Sequence, residues 1–234
     1  MTDAPFFAVE EPAGEVRAVA LVLHGGRATS MSAVRAGQLA VLRMAPFGAA
    51  LSRAGRDRGL AVARMRYLVR GWNGGERAPV ADVRWVLDRL GDRYPDRPVA
   101  LVGHSMGGRA AVYAAEHPAV RTVVGLAPWL EAGDPYEHVA GCDLLVAHGD
   151  RDRITSASAS AEWTRRAATV AHRAGFVSVH GDGHAMLRRA GLWHGLATAF
   201  VLATVCGTAP EGTVTGEAAN VVSKVLAGQA RFVV

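Results

Sequence analysis

A serine, two acids and a histidine each follow a short apolar run and sit close to glycine. Ser105 lies in Gly103-His104-Ser105-Met106-Gly107-Gly108, directly after Val99–Val102. Behind Leu144–Ala147 comes His148-Gly149-Asp150-Arg151-Asp152, and behind Phe176–Val179 comes His180-Gly181-Asp182-Gly183-His184. A serine hydroxyl is a poor nucleophile until a base takes its proton, and the base needs an acid to orient it. Ser105, Asp152 and His184 supply these roles in the chain order nucleophile, acid, histidine. Asp150 competes for the acid's role. Asp152 is preferred because it lies four residues past His148, out on the loop, whereas Asp150 lies closer to the strand end and is suited to capping the turn or pairing with an Arg.

The spacing G-x-S-x-G has its own physical reason. A sharp strand-to-helix turn holds the serine in a strained conformation, and small neighbours let the backbone pass closely. The amide of Met106 then points, at a helix N-terminus, to where an oxyanion develops. An early apolar run, Val19–Leu23, ends in His24-Gly25-Gly26-Arg27. A glycine turn there aims a second amide at the same oxyanion, with Gly26 the expected donor and Arg27 the alternative if the turn is offset by one. His24 is expected to brace this loop rather than act as the base. His180-x-Asp182-x-His184 alternates like metal ligands, but no further ligand cluster completes a site, so no metal is predicted.

These residues need a frame that gathers strand ends. Val19–Leu23, Leu60–Met65, Val99–Val102, Val120–Leu126, Leu144–Ala147 and Phe176–Val179 read as buried strands, and Met44–Gly55, Pro79–Leu90, Met106–Glu116 and Ser156–Ala174 as helices. Pro79 followed by Asp82 suits a helix start. Such alternation predicts a mainly parallel α/β sheet, flanked by helices on both faces, with ligands beyond the carboxyl ends of the strands. That rule places Trp129 and Trp72 as apolar walls of the cleft, with Arg27, Arg70 and Asn73 as polar neighbours and Met106 facing it. Met186 and Leu187 are expected beneath the histidine loop.

Composition removes other classes. The chain has 234 residues, of which 50% are hydrophobic, and a net charge of +5. Every basic residue except Lys224 is Arg, and the arginines are interleaved with acids, as in Asp150-Arg151-Asp152-Arg153. They form no basic block, so nucleic acid is not an expected partner. The apolar stretch Leu192–Cys206 is too short to span a bilayer. The acidic N-terminal segment has no export signal, and Cys142 and Cys206 cannot build a disulfide framework, so a cytoplasmic protein is expected.

From Val16 to Val205 the sequence resembles the α/β-hydrolase superfamily. The likeness rests on the His24-Gly25-Gly26 loop, the elbow around Ser105, the His148-Gly149-x-x-Asp152 loop and Gly183-His184, in that order. The stretch Tyr67–Trp72, with Arg70-Gly71, and Asp82 in the helix that follows also match. The resemblance implies about eight strands, a Ser-His-Asp triad and no cofactor. The chain departs from the pattern twice. It has room for one strand before Val19, at Phe6–Val9, where the family usually has two, and its connection from Leu126 to Leu144 is too short for the helical lid of many relatives. An open cleft follows, suited to a small or extended carboxylic ester or thioester. Peptidase, C–C hydrolase and acyltransferase chemistry, or non-catalytic binding of a small ligand, are the alternatives. Residues 1–207 are read as the hydrolase domain and 208–234 as a C-terminal extension, in which Glu217–Leu226 suits a helix and Arg231–Val234 a strand. The expected partner is a small acyl substrate.

Overall fold

The computed structural model describes residues 4–214 and 216–234. Strands β1 (Phe6–Glu10), β2 (Ala18–Leu23), β3 (Leu60–Arg66), β4 (Val99–His104), β5 (Val120–Leu126), β6 (Asp143–Gly149), β7 (Arg173–Val179) and β8 (Arg231–Val233) form one sheet. Its order is β1-β3-β2-β4-β5-β6-β7-β8. Only β1 runs antiparallel, pairing Phe6 with Arg66 and Glu10 with Val62. The eight strands agree with the expected number.

All six residues of β2 are buried, and their alternation feeds two separate cores. Val19, Leu21 and Leu23 face the layer of α2 (Ala78–Arg93), α3 (Met106–Ala114) and α4 (Ala157–Ala167), where Val83, Leu87 and Trp163 pack. Ala20 and Val22 face α1 (Leu39–Gly55), α5 (Ala190–Cys206) and α6 (Glu217–Leu226), where Phe47, Trp193 and Phe200 pack. No described helix is long and apolar enough to cross a membrane.

Several boundaries differ from the sequence reading, most of all at α1, α4 and β7. Helix α1 begins at Leu39, a turn before Met44, and carries Pro46 on its exposed side. Helix α4 stops at Ala167 instead of Ala174, because the chain turns back onto β6: the His172 amide donates to the Cys142 carbonyl, and Arg173 to Gly175 pair with Asp143 to Leu145. These first residues of β7 are strand by pairing, not by apolar pattern. The chain beyond residue 207 continues the same layers. Helix α6 packs on α5, and Val225 lies so close to Gly175 that a Cβ there would stand 2.7 Å from its methyls. Strand β8 then extends the sheet beside β7, and the His180 amide donates to the Val234 carbonyl at 2.6 Å.

The connection from β5 to β6 holds one short helical turn, Glu137–Val139, and no inserted lid helix. Buried Asp134 anchors it. Its Oδ1 accepts from Arg109 Nε (3.0 Å), Arg109 Nη2 (2.7 Å) and the Tyr113 hydroxyl (2.8 Å), while Oδ2 accepts from the Glu131 amide (2.9 Å). The Arg109 side chain is only 8% exposed, so removing Asp134 leaves a buried cation with the half-exposed Glu131 as its one carboxylate partner and takes the acceptor from the Tyr113 hydroxyl. Asp134→Ala is expected to cost about 3 kcal/mol or more of unfolding free energy in a urea titration. A loss under about 1 kcal/mol, the range of a surface pair, would contradict this anchoring role.

Candidate active site

Ser105 is the residue between β4 and α3, with φ 55° and ψ −120°. A non-glycine residue adopts a positive φ only when its surroundings impose it. Two close approaches do so here. A Cβ on Gly103 would collide with the Gly107 carbonyl, and a Cβ on Gly107 would stand 2.6 Å from the carbonyl oxygens of Leu23 and His24. The helix can therefore start directly against the end of β2 only with glycine at both positions. The turn is tied down further. The Ser105 amide donates to the Leu126 carbonyl (3.1 Å), and the Ser105 carbonyl accepts from the Trp129 amide (3.1 Å).

This turn brings the Ser105 hydroxyl 3.0 Å from Nε2 of His184, whose Nδ1 lies 2.8 Å from Oδ2 of Asp152. A carboxylate only accepts, so His184 carries its proton on Nδ1 and leaves Nε2 to take the serine proton. The Asp152 side chain is wholly buried, and its Oδ1 accepts from the amides of Ile154 (2.7 Å) and Thr155 (3.0 Å). Burial alone would raise its pKa. The hydrogen bonds from His148, His184, Thr155 and Ile154 outweigh burial and hold the carboxyl well below its usual range. Asp150 is absent from this line. It is exposed, and it accepts from His180 Nδ1 (2.7 Å) and the Gly181 amide (2.8 Å), which closes the neighbouring turn.

Of the two amides considered for the early loop, that of Arg27 is already engaged, donating to the Arg70 carbonyl at 2.8 Å. Gly26 lies over Met106: a Cβ there would stand 2.5 Å from the thioether sulfur. The glycine loop is thus packed on the side chain of Met106. His24 braces this loop, donating from Nδ1 to the Gly25 carbonyl (2.6 Å) and lying edge-on to Tyr67. Burial lowers its pKa to about 4, so it stays neutral.

Several expected cleft residues are placed differently. Trp72 is buried (4% exposed), because the Arg109 guanidinium lies over it and over Trp129, which meets it edge to face, and Tyr113 packs on its edge. It supports the wall from behind rather than lining it. Trp129 remains part-exposed, next to Ser105. Met106 is 1% exposed and turns under Gly26, away from the cleft. Arg27 and Arg70 line a cavity of about 240 Å³ beside the glycine loop, with Gly25, Gly26, Gln38 and Leu39. Larger grooves, of about 400 Å³ between α4 and the β7–β8 edge and about 340 Å³ beside β1 and α1, hold no member of the Ser105–His184–Asp152 line. Met186 is buried beneath the histidine loop as expected, but Leu187 is 71% exposed.

His180, Asp182 and His184 diverge to separate partners, and no group of three or more potential ligands clusters among the described residues. Asp182 instead anchors the histidine loop, accepting from Trp193 Nε1 (2.9 Å) and the Arg189 amide (3.0 Å). Sequence reasoning missed three neighbours of the site: His104, His148 and Thr155. The buried His104 donates from Nε2 to the His184 carbonyl (2.9 Å), while its Nδ1 has no partner among the described residues. Burial, then repulsion from His184, lowers its pKa to about 3.

Comparison with known proteins bears on the fold. The model of a serine aminopeptidase family, S33, matches residues 69–142, which include Ser105 but neither Asp152 nor His184. No curated protein matches. Similar solved structures include Est1E from Butyrivibrio proteoclasticus with bound ferulic acid, at 15% identity over 86% of this chain and 95% of that one, TM-score 0.64. Another is XC6422 from Xanthomonas campestris, described as an α/β serine hydrolase without lid, at 19% identity over 84% and 93%, TM-score 0.58. A third is the monoacylglycerol lipase of Paleococcus ferrophilus, at 13% identity over 86% and 99%, TM-score 0.63. At these identities the likeness is one of fold.

The buried neutral histidines make a pH prediction. Their ordinary value is 6.5, and folding lowers it, so the unfolded chain binds protons that the folded chain refuses. Stability from this source is complete above pH 6.5 and declines as pH falls towards 4. Thermal melts across that window should show His104→Asn losing stability less steeply than the wild type. Equal slopes would show that His104 takes up its proton equally in the folded and unfolded chains, contradicting its burial as a neutral group.

Proposed function

On the α/β-hydrolase fold that this chain adopts, we propose that it is a serine hydrolase cleaving small or extended carboxylic esters or thioesters through an acyl-enzyme on Ser105. The observation that carries this reading is the hydrogen-bonded line from Ser105 Oγ through His184 to Asp152. Ser105 attacks the carbonyl carbon while Nε2 of His184 takes the hydroxyl proton. The imidazolium formed is stabilised by the Asp152 carboxylate and returns the proton to the leaving oxygen or sulfur. Water then attacks the acyl-enzyme by the same route, releasing the acid and restoring Ser105.

The amides of Met106 and Gly26 are assigned to the developing oxyanion, each worth on the order of 3 kcal/mol. Trp129 and the Arg27–Arg70 cavity flank the serine on two sides and are assigned to substrate binding. The short β5–β6 connection places no lid helix over the site, which favours small or extended acyl groups over a chain that must be enclosed. Neither a metal nor an organic cofactor has a part in these steps. Amide cleavage is a second reading, favoured by the peptidase description of the matched family model.

A panel of aryl esters, thioesters and aminoacyl amides assayed with variants tests both readings. Ser105→Ala is expected to abolish turnover of the preferred class and leave the fold intact. Asp152→Asn should lower kcat by about four orders of magnitude, the loss seen when a triad acid can no longer hold the right tautomer. Asp150→Asn should stay within about threefold of the wild type, since a surface pair contributes under about 1 kcal/mol. If Asp150→Asn were the inactive variant, the acid would be misassigned. Faster cleavage of the amides than of the matched esters would favour the peptidase reading.

A further inference from the structure

The acid of the triad serves two histidines. His148, near the end of β6, is wholly buried, and its Nε2 lies 3.1 Å from Asp152 Oδ2. This is the oxygen that also faces His184 Nδ1. The other nitrogen, Nδ1, lies 3.0 Å from the hydroxyl of Ser160, a fully buried residue of α4. Thr155 Oγ1 sits among them, 2.9 Å from Oδ2, 3.1 Å from His184 Nδ1 and 3.3 Å from His148 Nε2.

Proton accounting decides the roles. Asp152 is a carboxylate and donates nothing, so His148 must carry a proton on Nε2 to face it. The opposite nitrogen, Nδ1, is held by the Ser160 hydroxyl, which also faces the Pro128 carbonyl at the longer distance of 3.3 Å. Asp152 Oδ1 is already saturated by two backbone amides. The shared oxygen, Oδ2, is thus where the grip on His184 can be tuned. A lone pair density divided among several donors attracts each of them less.

We propose that His148 is a positioning residue that shares Asp152 Oδ2 with His184, locking the carboxylate to β6 and moderating its hold on the catalytic imidazole. Ser160 orients His148 in turn, so the line runs from α4 to the nucleophile: Ser160, His148, Asp152, His184, Ser105. The other groups that face His184 are the His104 ring of β4, 4.7 Å away, and Arg43 of α1, whose guanidinium donates to the Ala185 carbonyl at 2.6 Å. Neither touches Asp152, so a change at His148 reaches His184 through the carboxylate and through the Thr155 hydroxyl, which donates to that same oxygen and contacts both rings. The functional consequence rests on the serine-hydrolase reading above; the hydrogen-bond sharing does not.

The test therefore uses one readout that needs no turnover. Proton NMR of the full chain reports the His184 Nδ1 proton held by Asp152. In His148→Leu this signal should move downfield, because the carboxylate then serves one histidine. The acid limb of kcat/KM against pH should move up by about one pH unit, the size of one hydrogen bond to a charged group. His148→Gln, which can place an amide N–H where Nε2 lies, should keep the wild-type signal and acid limb. Ser160→Ala should move both in the direction of His148→Leu by a smaller amount, and it stands in if the leucine variant does not fold. A His184 signal unmoved in these variants, with only the melting temperature lowered, would overturn the proposal and leave His148 a packing residue. A downfield shift in a chain that cleaves no ester, thioester or amide would uphold the sharing and overturn the hydrolase reading instead.

Discussion

The left-handed turn at Ser105 is the constraint from which the surrounding structure follows. A residue held at φ 55° costs on the order of 1–3 kcal/mol, and that conformation persists only where neighbours over-determine it. Here β4 lies between β2 and β5, and both partners contribute. The end of β2 presents the Leu23 and His24 carbonyls to Gly107, and the end of β5 accepts the Ser105 amide at Leu126. The glycines, the register of three strands and the first turn of α3 are one arrangement seen from different sides. Its product is a hydroxyl clear of the sheet, with a helix N-terminus behind it.

Charge is handled differently in the two halves of the site. Behind the aromatic wall, Arg109 is neutralised by Asp134 and Glu131 and lies over the faces of Trp72 and Trp129, so the cation becomes part of the packing. Around the nucleophile a single buried carboxylate is left ionised and surrounded by donors, while His24 and His104 are kept neutral by burial. The imidazole that touches Ser105 is His184, set between the Asp152 carboxylate and the serine hydroxyl. Selectivity of this kind comes from burial and hydrogen-bond direction, not from any surplus of charge.

Local chemistry made the centre of the site legible in the sequence. Ser105, Asp152 and His184 each stand at the end of an apolar run, where parallel strands deliver them to a common edge, and glycines mark where the backbone must bend or approach closely. The fold class was legible for the same reason, from runs of buried strand separated by helices. Long-range contacts hid the rest. Whether Trp72 faced cleft or core depended on an arginine many residues later in α3, and the start of β7 depended on pairing with Asp143–Leu145 rather than on its own Arg-Ala-Gly. The chain after residue 207 is integrated through a contact between Val225 and Gly175 that no local pattern announces. His148 did carry a signal, its i,i+4 spacing to Asp152, but strand and loop had to be folded before that spacing became a hydrogen bond.

The central claim is that the turn, His184 and Asp152 together make Ser105 a nucleophile. Intact-mass labelling with a fluorophosphonate tests it most directly, because phosphonylation needs an activated serine and no knowledge of the substrate. The account predicts one adduct on the wild-type chain, located at Ser105, and none on folded Ser105→Ala. A folded wild type that takes no adduct, or an adduct that persists in Ser105→Ala, would contradict it.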